Sequence, residues 1–320
     1  MANKFSAITL EITKKCNHKC LFCYNLSSCD SEDVTLDKID FIVDKISAYG
    51  IEYVTISGGE PYMVRPQTEY LIKNLLKKNI DVCLNTNLSL VNEETIKNLV
   101  ELLGHNNMIY SSIPSVIAEK CDIITQNKGS YERIVNGVQL CRKYKMPLGL
   151  NMTVSKSNIE DLDYIDDFLD KNLVDSFTLF PVIPPFYDRR NSIHDISNND
   201  LIKIANTLVH INHKYGIVVG SIRPLPLCVI GEKQEYRVIR GSRCTTGQVR
   251  CAIDMVSGEI EACSQEGIKY GNIYNDSLDE SYKRMKDWRN GTFLVKNCKV
   301  CEKLDICGGV CLWSEPCGRC

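Results

Sequence analysis

The chain has 320 residues, a net charge of -2 and 44% hydrophobic residues. This length is sufficient for one barrel-sized domain, alone or with a smaller appended domain. The nearly neutral charge provides no large positive surface, so neither nucleic acid nor an anionic membrane is expected as a partner. No stretch has the roughly 18 apolar residues of a membrane span, and the N-terminus has no signal-peptide pattern, which predicts a cytoplasmic protein.

Strands and helices alternate along the first two thirds of the chain. Short β-rich runs are separated by amphipathic helical runs, and a further helix is predicted around 197–215. Repeated β-α units predict an α/β fold with a parallel sheet, in which functional residues follow the carboxyl ends of the strands. The strands are predicted at 8–13, 53–59, 81–87, 107–113, 147–155 and 177–183.

A change of pattern near residue 224 predicts a second domain. The segment 223–228 contains two prolines, and the density of cysteines rises after it. We therefore divide the chain into domains 1–223 and 224–320, of which the second is small, cysteine-rich and α+β.

Two elements are predicted within this tail. A β-hairpin is expected over 251–263, with its turn at Ser257 and Gly258, because a glycine-containing turn separates two apolar runs. A helix is expected to begin at Ser277, since serine is a favoured N-cap.

The cysteine content is the unusual feature of the composition. Seventeen cysteines are present, and the reducing cytosol makes structural disulfides rare. Many of these cysteines are therefore expected to be metal ligands.

The loop after the first strand holds Cys16, Cys20 and Cys23. A 4Fe–4S cluster has four irons, so three thiolate ligands leave one iron open to a small molecule. S-adenosylmethionine (SAM) is able to chelate such an iron through its amino and carboxylate groups, after which one electron from the cluster cleaves its sulfonium. The alternative is a structural zinc loop whose fourth ligand is His18 or Cys29.

This three-cysteine loop, with Phe22 before its last cysteine, resembles the signature of the radical SAM superfamily. The loop Ser57-Gly58-Gly59-Glu60-Pro61 after the second strand resembles the glycine-rich SAM-binding loop of that family. The resemblance implies a partial (β/α)6 TIM-type barrel and cleavage of SAM to a 5′-deoxyadenosyl radical that abstracts a hydrogen atom. It also implies that SAM is contacted by Ser57, Gly58, Gly59, Glu60, Asn87, Ser112 and Arg133.

Ser112 is followed by Ile113 and Pro114, whereas relatives often have an apolar residue, Asp and Gly after this serine, so the substrate contacts of that loop are not carried over. The contact assigned to Arg133 is open to another interpretation. Arg133 lies in a helical pattern, where an exposed arginine is equally expected.

The cysteines of the tail resemble those of the SPASM domain, a module that holds two auxiliary 4Fe–4S clusters in many radical SAM enzymes. The most specific part is the block of four cysteines over 298–311. The alternative is a zinc ribbon, which uses similar cysteine pairs. The resemblance implies that the nearer auxiliary cluster is bound by Cys244, Cys251, Cys263 and Cys311. It implies that the outer cluster is bound by Cys298, Cys301 and Cys307, with Cys317 or Cys320 as its fourth ligand.

Other cysteines have no place in these sets. Cys83 and Cys141 lie within strand and helix patterns, which favours packing in the core. Cys29 and Cys228 lie in loops and are candidates for a catalytic hydrogen-atom donor.

The resemblance also implies a class of substrate. Enzymes with a SPASM domain mostly modify peptides or proteins, so we expect a peptide or small-protein substrate that acquires a cross-link, an epimerised residue or an oxidation, as in ribosomal peptide maturation. Ser264 stands where the sulfatase-maturing subtype is expected to have aspartate. The chain begins close to the first strand, so a leader is expected to dock elsewhere or on a separate leader-recognition protein. An external electron donor such as flavodoxin or ferredoxin is also expected.

Two alternative functions remain at this point. The first is a radical SAM oxidase or epimerase that acts on a small molecule such as a sugar or aminoglycoside. The second is a non-catalytic iron–sulfur or zinc protein that serves as a scaffold or electron carrier.

Overall fold

The computed structural model describes residues 4–25, 31–184, 195–240, 243–309 and 311. Within this part of the chain the strands form one mixed sheet in the order β11-β10-β9-β1-β2-β3-β4-β5-β6-β7-β8. The strands are β1 Ala7–Thr13, β2 Tyr53–Gly58, β3 Asp81–Asn85, β4 Met108–Ser112, β5 Leu148–Val154, β6 Ser176–Pro181, β7 Val218–Gly220, β8 Ile239–Arg240, β9 Arg250–Asp254, β10 Glu259–Glu261 and β11 Lys269–Asn272.

Helices connect most of these strands. Several begin with a side chain that accepts a backbone N–H of the first turn, as Thr35, Asn92 and Ser197 do. The α-helices are α1 Leu36–Tyr49, α2 Arg65–Lys77, α3 Glu93–Leu103, α4 Ala118–Thr125, α5 Ser130–Lys143, α6 Ile165–Leu169, α7 Asn198–Tyr215, α8 Leu227–Ile230, α9 Leu278–Arg284, α10 Lys296–Lys299 and α11 Leu304–Cys307. Short 3₁₀ turns cover Pro61–Val64, Ile159–Tyr164, Gln234–Val238 and Met285–Trp288.

The strands β1 to β8 are parallel and follow chain order across the sheet. This arrangement confirms the predicted parallel sheet, and each of the six predicted strands is found within two residues of its expected bounds.

The two faces of the sheet differ in polarity. On β1, Ile8, Leu10 and Ile12 are completely buried in the core between the sheet and its helices. Thr9 and Glu11 alternate with them and lie on the other face, because successive strand residues point to opposite sides. The polar face is therefore available to line a cavity.

The tail continues the same sheet. Strand β9 pairs in parallel with β1, and β10 turns back antiparallel to β9, which confirms the predicted hairpin. Helix α9 begins at Ser277 as expected, with a capping box formed by Ser277 and Glu280. The sheet thus crosses the boundary predicted near residue 224, and the division into domains stays a prediction.

No helix among the described residues is both long and apolar enough to span a bilayer.

Candidate functional site

A cavity of about 400 Å³ is bounded by the polar face of the sheet and by the loops that follow β1, β2 and β3. This volume is in the range of small-molecule sites in proteins. Its wall includes all three cysteines of the first loop and all but one of the residues expected to contact SAM. The members of these two sets that line it are Cys16, Cys20, Cys23, Ser57, Gly58, Gly59, Glu60, Asn87 and Ser112.

The cysteine loop is held by backbone hydrogen bonds to the end of α4. Lys19 N donates to Thr125 O at 2.9 Å, and Leu21 N donates to Ile124 O at 3.0 Å. Burial raises the pKa of Cys16 to about 11. These contacts fix the loop, while burial keeps its thiol protonated until a metal displaces the proton.

The other two thiols of the loop share this environment. Burial is the main cause that raises the pKa of Cys20 and of Cys23, and the charge of each neighbouring cysteine raises that of Cys20 further. The three thiols are therefore close enough to influence one another, and they face one chamber.

The glycine loop packs directly against the cysteine loop. Gly59 N donates to Thr13 O at 2.6 Å, and Glu60 N donates to Lys15 O at 2.7 Å. A Cβ atom on Gly58 would lie 2.4 Å from Thr13 O, and one on Gly59 would lie 2.0 Å from Lys15 O. Both glycines are thus required by contact between two backbones of the protein, in addition to any approach to SAM.

Glu60 connects the second loop to the third. Its Oε1 accepts from Thr86 Oγ1 at 2.6 Å and from Tyr62 N at 3.0 Å, and its Oε2 accepts from Asn87 N at 2.7 Å. The side chain is 1% exposed. Burial raises the pKa of Glu60, while these hydrogen bonds oppose the rise. The carboxylate therefore holds Asn87 at the cavity wall.

Glu60→Gln is expected to reduce the free energy of unfolding of the metal-free protein by about 1–3 kcal/mol, because the new amide group opposes a backbone donor and leaves it unpaired. SAM affinity should fall as well, since Asn87 loses its anchor. Urea denaturation and equilibrium dialysis measure the two effects. Glu69→Gln is the control, because Glu69 pairs with Arg65 at the surface and its loss should cost less than about 1 kcal/mol. Equal stability of the two variants would contradict the role of Glu60.

A polar network not anticipated from the sequence joins the third loop to the first. Asn87 Nδ2 donates to Asn17 Oδ1 at 2.9 Å, and Asn17 Nδ2 donates to Ser89 Oγ at 2.8 Å.

On the other side of the cavity, Ser112 Oγ donates to Asn151 Oδ1 at 3.2 Å. The composition of β5 could have indicated Asn151, because its other residues are apolar except for Thr153.

A second unanticipated network lies beside the cysteine loop. Tyr24 Oη donates to Glu11 Oε1 at 3.0 Å, and Lys14 Nζ donates to Glu11 Oε2 at 2.7 Å. Lys14 also lies 3.3 Å from Asp254, which belongs to β9. These contacts connect the first loop to the tail and raise the pKa of Lys14, although its burial acts in the opposite direction.

Two buried polar atoms on the cavity wall have no hydrogen-bond partner in the described chain. They are His18 Nε2 and Gln265 Oε1. Burial, followed by the charge of Arg133, lowers the pKa of His18 to about 4, so its ring is neutral at pH 7. Because such atoms are costly without a partner, they fit a site completed by a bound polar molecule.

The structure does not place Arg133 at the cavity. Its side chain is exposed, and Nη2 donates to Asn127 Oδ1 at 2.8 Å and to Lys128 O at 3.1 Å. Arg133 is therefore not among the residues that line the cavity, and its contact with the SAM carboxylate stays a prediction.

Three cysteines of the tail meet close to the cavity. Cys263 is on the cavity wall, and burial together with the charges of Cys311 and Cys244 raises its pKa. Cys251 also borders this cavity, but no electrostatic influence links it to these three cysteines. It lies in the apolar core beside Ile8, and among charged groups only Arg250 affects its pKa. Its position on β9 explains why it is separate from the other three, because Cys251 belongs to the apolar core that includes Ile8.

A second cavity, of about 190 Å³, is lined by Cys298, Cys301 and Cys307 together with Cys228. Cys228 therefore does not line the chamber of the first loop, where a hydrogen-atom donor would have to act. Cys83 and Cys141 are buried as predicted. The candidates Cys29, Cys317 and Cys320 lie outside the described residues.

Within the described ranges, no three His, Cys, Asp or Glu side chains converge on a single-ion site. A cubane cluster has a different requirement, because each of its irons takes its own thiolate.

Comparisons with known proteins agree with this geometry. The Radical SAM superfamily model matches residues 10–169, which are 160 of the 320 residues. The AdoMet-dependent heme synthase of Methanosarcina barkeri is 23% identical over 97% of this chain and 92% of its own length. The sporulation killing factor maturation protein SkfB of Bacillus subtilis is 24% identical over 93% of this chain and 69% of its own.

Among solved structures, Streptococcus suis SuiB bound to its precursor peptide SuiA has the same fold, with a TM-score of 0.76 and 17% identity over 97% of this chain and 72% of that chain. The family match confirms the assignment made from the three-cysteine loop and confirms that the α/β sheet is a radical SAM core. The chain therefore belongs to the radical SAM superfamily.

Proposed function

We propose that Cys16, Cys20 and Cys23 bind the 4Fe–4S cluster of this radical SAM enzyme and that SAM occupies the adjoining cavity. The observation that carries the proposal is the presence of all three thiols on one wall of a chamber that also contains two unpartnered polar atoms. When bound, the cluster and SAM supply a 5′-deoxyadenosyl radical for hydrogen abstraction. A zinc loop would not require such a chamber.

The residues of the chain orient SAM and exclude water around it. Ser57 and Gly58 line the cavity at the end of β2. Glu60 positions Asn87, and Ser112 faces the cavity from β4. Apolar side chains complete the wall and reduce the access of water to the reacting carbon. They include Phe22, Ile134, Phe180, Val182, Ile183 and Ile222.

We infer a peptide or small protein as substrate, with a ribosomally made peptide as the favoured case. SkfB is named as a maturation protein, and SuiB was crystallised with a precursor peptide. The product would be a cross-link, an epimerised residue or an oxidised residue. Reductive cleavage of SAM consumes one electron, so an external one-electron donor such as flavodoxin or ferredoxin is proposed. A separate protein is proposed to recognise the leader.

A small molecule is the second candidate substrate. It is favoured by the heme synthase, whose alignment covers both chains almost completely. Reduced, reconstituted enzyme should release 5′-deoxyadenosine from SAM, and this release should increase with the true substrate. Mass spectrometry of a peptide encoded beside the gene should then show loss of hydrogen or uptake of solvent deuterium. No SAM cleavage with several reductants would exclude an active enzyme and support the scaffold function.

We further propose that the tail, residues 224–320, binds two auxiliary 4Fe–4S clusters. Cys244, Cys263 and Cys311 are assigned to the nearer one because they influence one another electrostatically beside the main cavity. Cys298, Cys301 and Cys307, which line the second cavity, are assigned to the outer cluster. Cys251 is left out of the nearer set because it lies in the core.

Anaerobic reconstitution is expected to give about twelve irons and twelve sulfides per chain, since each of three cubane clusters contains four of each. Cys263→Ala should lose about four irons. The measurement is iron and sulfide analysis of the desalted protein. A value of about four irons in the unaltered protein would contradict the auxiliary clusters, and bound zinc would support a zinc ribbon.

A further inference from the structure

The second cavity contains one more cysteine than the SPASM resemblance assigns to it. Cys228, in the short helix α8, lines the same 190 Å³ space as Cys298, Cys301 and Cys307. We propose that Cys228 is the fourth ligand of the outer auxiliary cluster. The proposal rests on the auxiliary clusters of the proposed function and names a ligand 70 residues before the nearest of the other three.

Helix α8 is fixed in a position that directs Cys228 to this cavity. Ile230 is buried in the core, and Ile230 N donates to Pro226 O at 3.1 Å. Residues two apart on a helix are about 200° apart around its axis. Cys228 therefore lies on the opposite side of α8 from the buried Ile230, where it is exposed toward the cysteines of the tail.

Direct contacts join α8 to the three other cysteines. Leu227 N donates to Cys307 Sγ at 3.5 Å, so the backbone beside Cys228 already bonds to one proposed ligand sulfur. Lys303, between Cys301 and Cys307, forms an ion pair with Glu232, just after α8. Hydrogen bonds to ligand sulfurs are a recurrent feature of iron–sulfur sites.

Two glycines separate the ligands of the two auxiliary clusters. Gly308 and Gly309 have φ values of +73° and +82°, a left-handed conformation that glycine adopts readily. A Cβ atom on Gly308 would lie 2.7 Å from Arg243 Cγ, and one on Gly309 would lie 4.0 Å from Cys298 Sγ. Cys307 lines the second cavity, whereas Cys311, four residues later, is buried and does not line it.

The four thiols satisfy the chemistry of a complete cubane site. Each iron takes one thiolate, and each thiol releases one proton to solvent when its bond to iron forms. No oxidant or reductant is needed for ligation. The cavity is lined in addition by Pro226, Leu227 and Leu304, which give the site an apolar border.

The test uses Cys228→Ala and Cys228→Ser in the full chain, with Cys301→Ala as the positive control and Cys141→Ala as a control for loss of a thiol elsewhere. After anaerobic reconstitution, both Cys228 variants should resemble Cys301→Ala. They should lose up to about four of twelve irons, or retain them with an altered EPR spectrum of the reduced outer cluster. Maleimide should label Cys228 in the metal-free protein and not in the reconstituted protein.

The rival ligands are tested in the same way with Cys317→Ala and Cys320→Ala. The proposal is overturned when Cys228→Ala keeps the iron and EPR spectrum of the unaltered protein while one of these variants loses them. If Cys301→Ala has the same iron content as the unaltered protein, the auxiliary clusters themselves are contradicted.

Discussion

Cys20→Ala is expected to abolish SAM cleavage and to remove the iron of the first cluster, about four atoms per chain. Cys20 is the middle cysteine of the loop, and Cys23 N bonds back to its carbonyl at 3.0 Å, so all three thiols are positioned by one short turn. With only two thiolates, one iron of the cubane lacks its protein ligand and is lost. SAM then has no stable open iron to chelate. Anaerobic assays of 5′-deoxyadenosine and of iron measure both effects.

Cys141→Ala is the matched control for this prediction. Cys141 is completely buried in α5 and belongs to the apolar core. Its replacement removes a thiol and leaves the cavity wall unchanged, so SAM cleavage per folded chain should be retained. Cleavage by Cys20→Ala at the rate of this control would show that the first cluster has another ligand in place of Cys20.

The second large effect is expected from Gly59→Ala. An added Cβ would lie 2.0 Å from Lys15 O and 2.6 Å from Lys15 C, and a backbone is unable to move aside as a flexible side chain does. The glycine and cysteine loops must separate, which should lower the free energy of unfolding by about 3 kcal/mol or more. SAM binding should be lost at the same time, because both loops border its cavity. Denaturant unfolding of the metal-free protein measures the first effect.

Gly216→Ala separates this clash from a general cost of replacing glycine. Gly216 ends α7 with φ +69°, and an added Cβ there meets open space. The expected cost is the left-handed strain of about 1–2 kcal/mol, with SAM affinity unchanged. A loss of stability in Gly59→Ala no larger than that of Gly216→Ala would disprove the contact between the loops.

Local sequence patterns were sufficient for the order of the elements and for the placement of three cysteines in one loop. The strands, the hairpin turn at Gly258 and the cap at Ser277 depend on residues a few positions apart, so their periodicity and turn residues predict them. Cys16, Cys20 and Cys23 lie within eight residues of one another, and their spacing alone brings them into one loop.

Long-range packing governs the remaining features, and local patterns carry no information about it. Gly59 was assigned to SAM, and a Cβ atom at this position would also collide with Lys15, 44 residues away in the chain. Cys251 was predicted to be a ligand, and pairing of β9 with β1 sets it in register with Ile8 of the apolar core at the border of the main cavity. Arg133 is on the exposed side of α5, as the alternative interpretation expected.

The position of Cys228 depends most strongly on the folded chain. From sequence it is an isolated cysteine in a proline-containing loop, at a distance of 70 residues from Cys298. Burial of Ile230 and the hydrogen bond from Leu227 to Cys307 hold α8 against the block of cysteines that begins at Cys298. Spacing along the chain specifies the three-cysteine loop, whereas the grouping of distant cysteines depends on which faces of the helices and strands are buried.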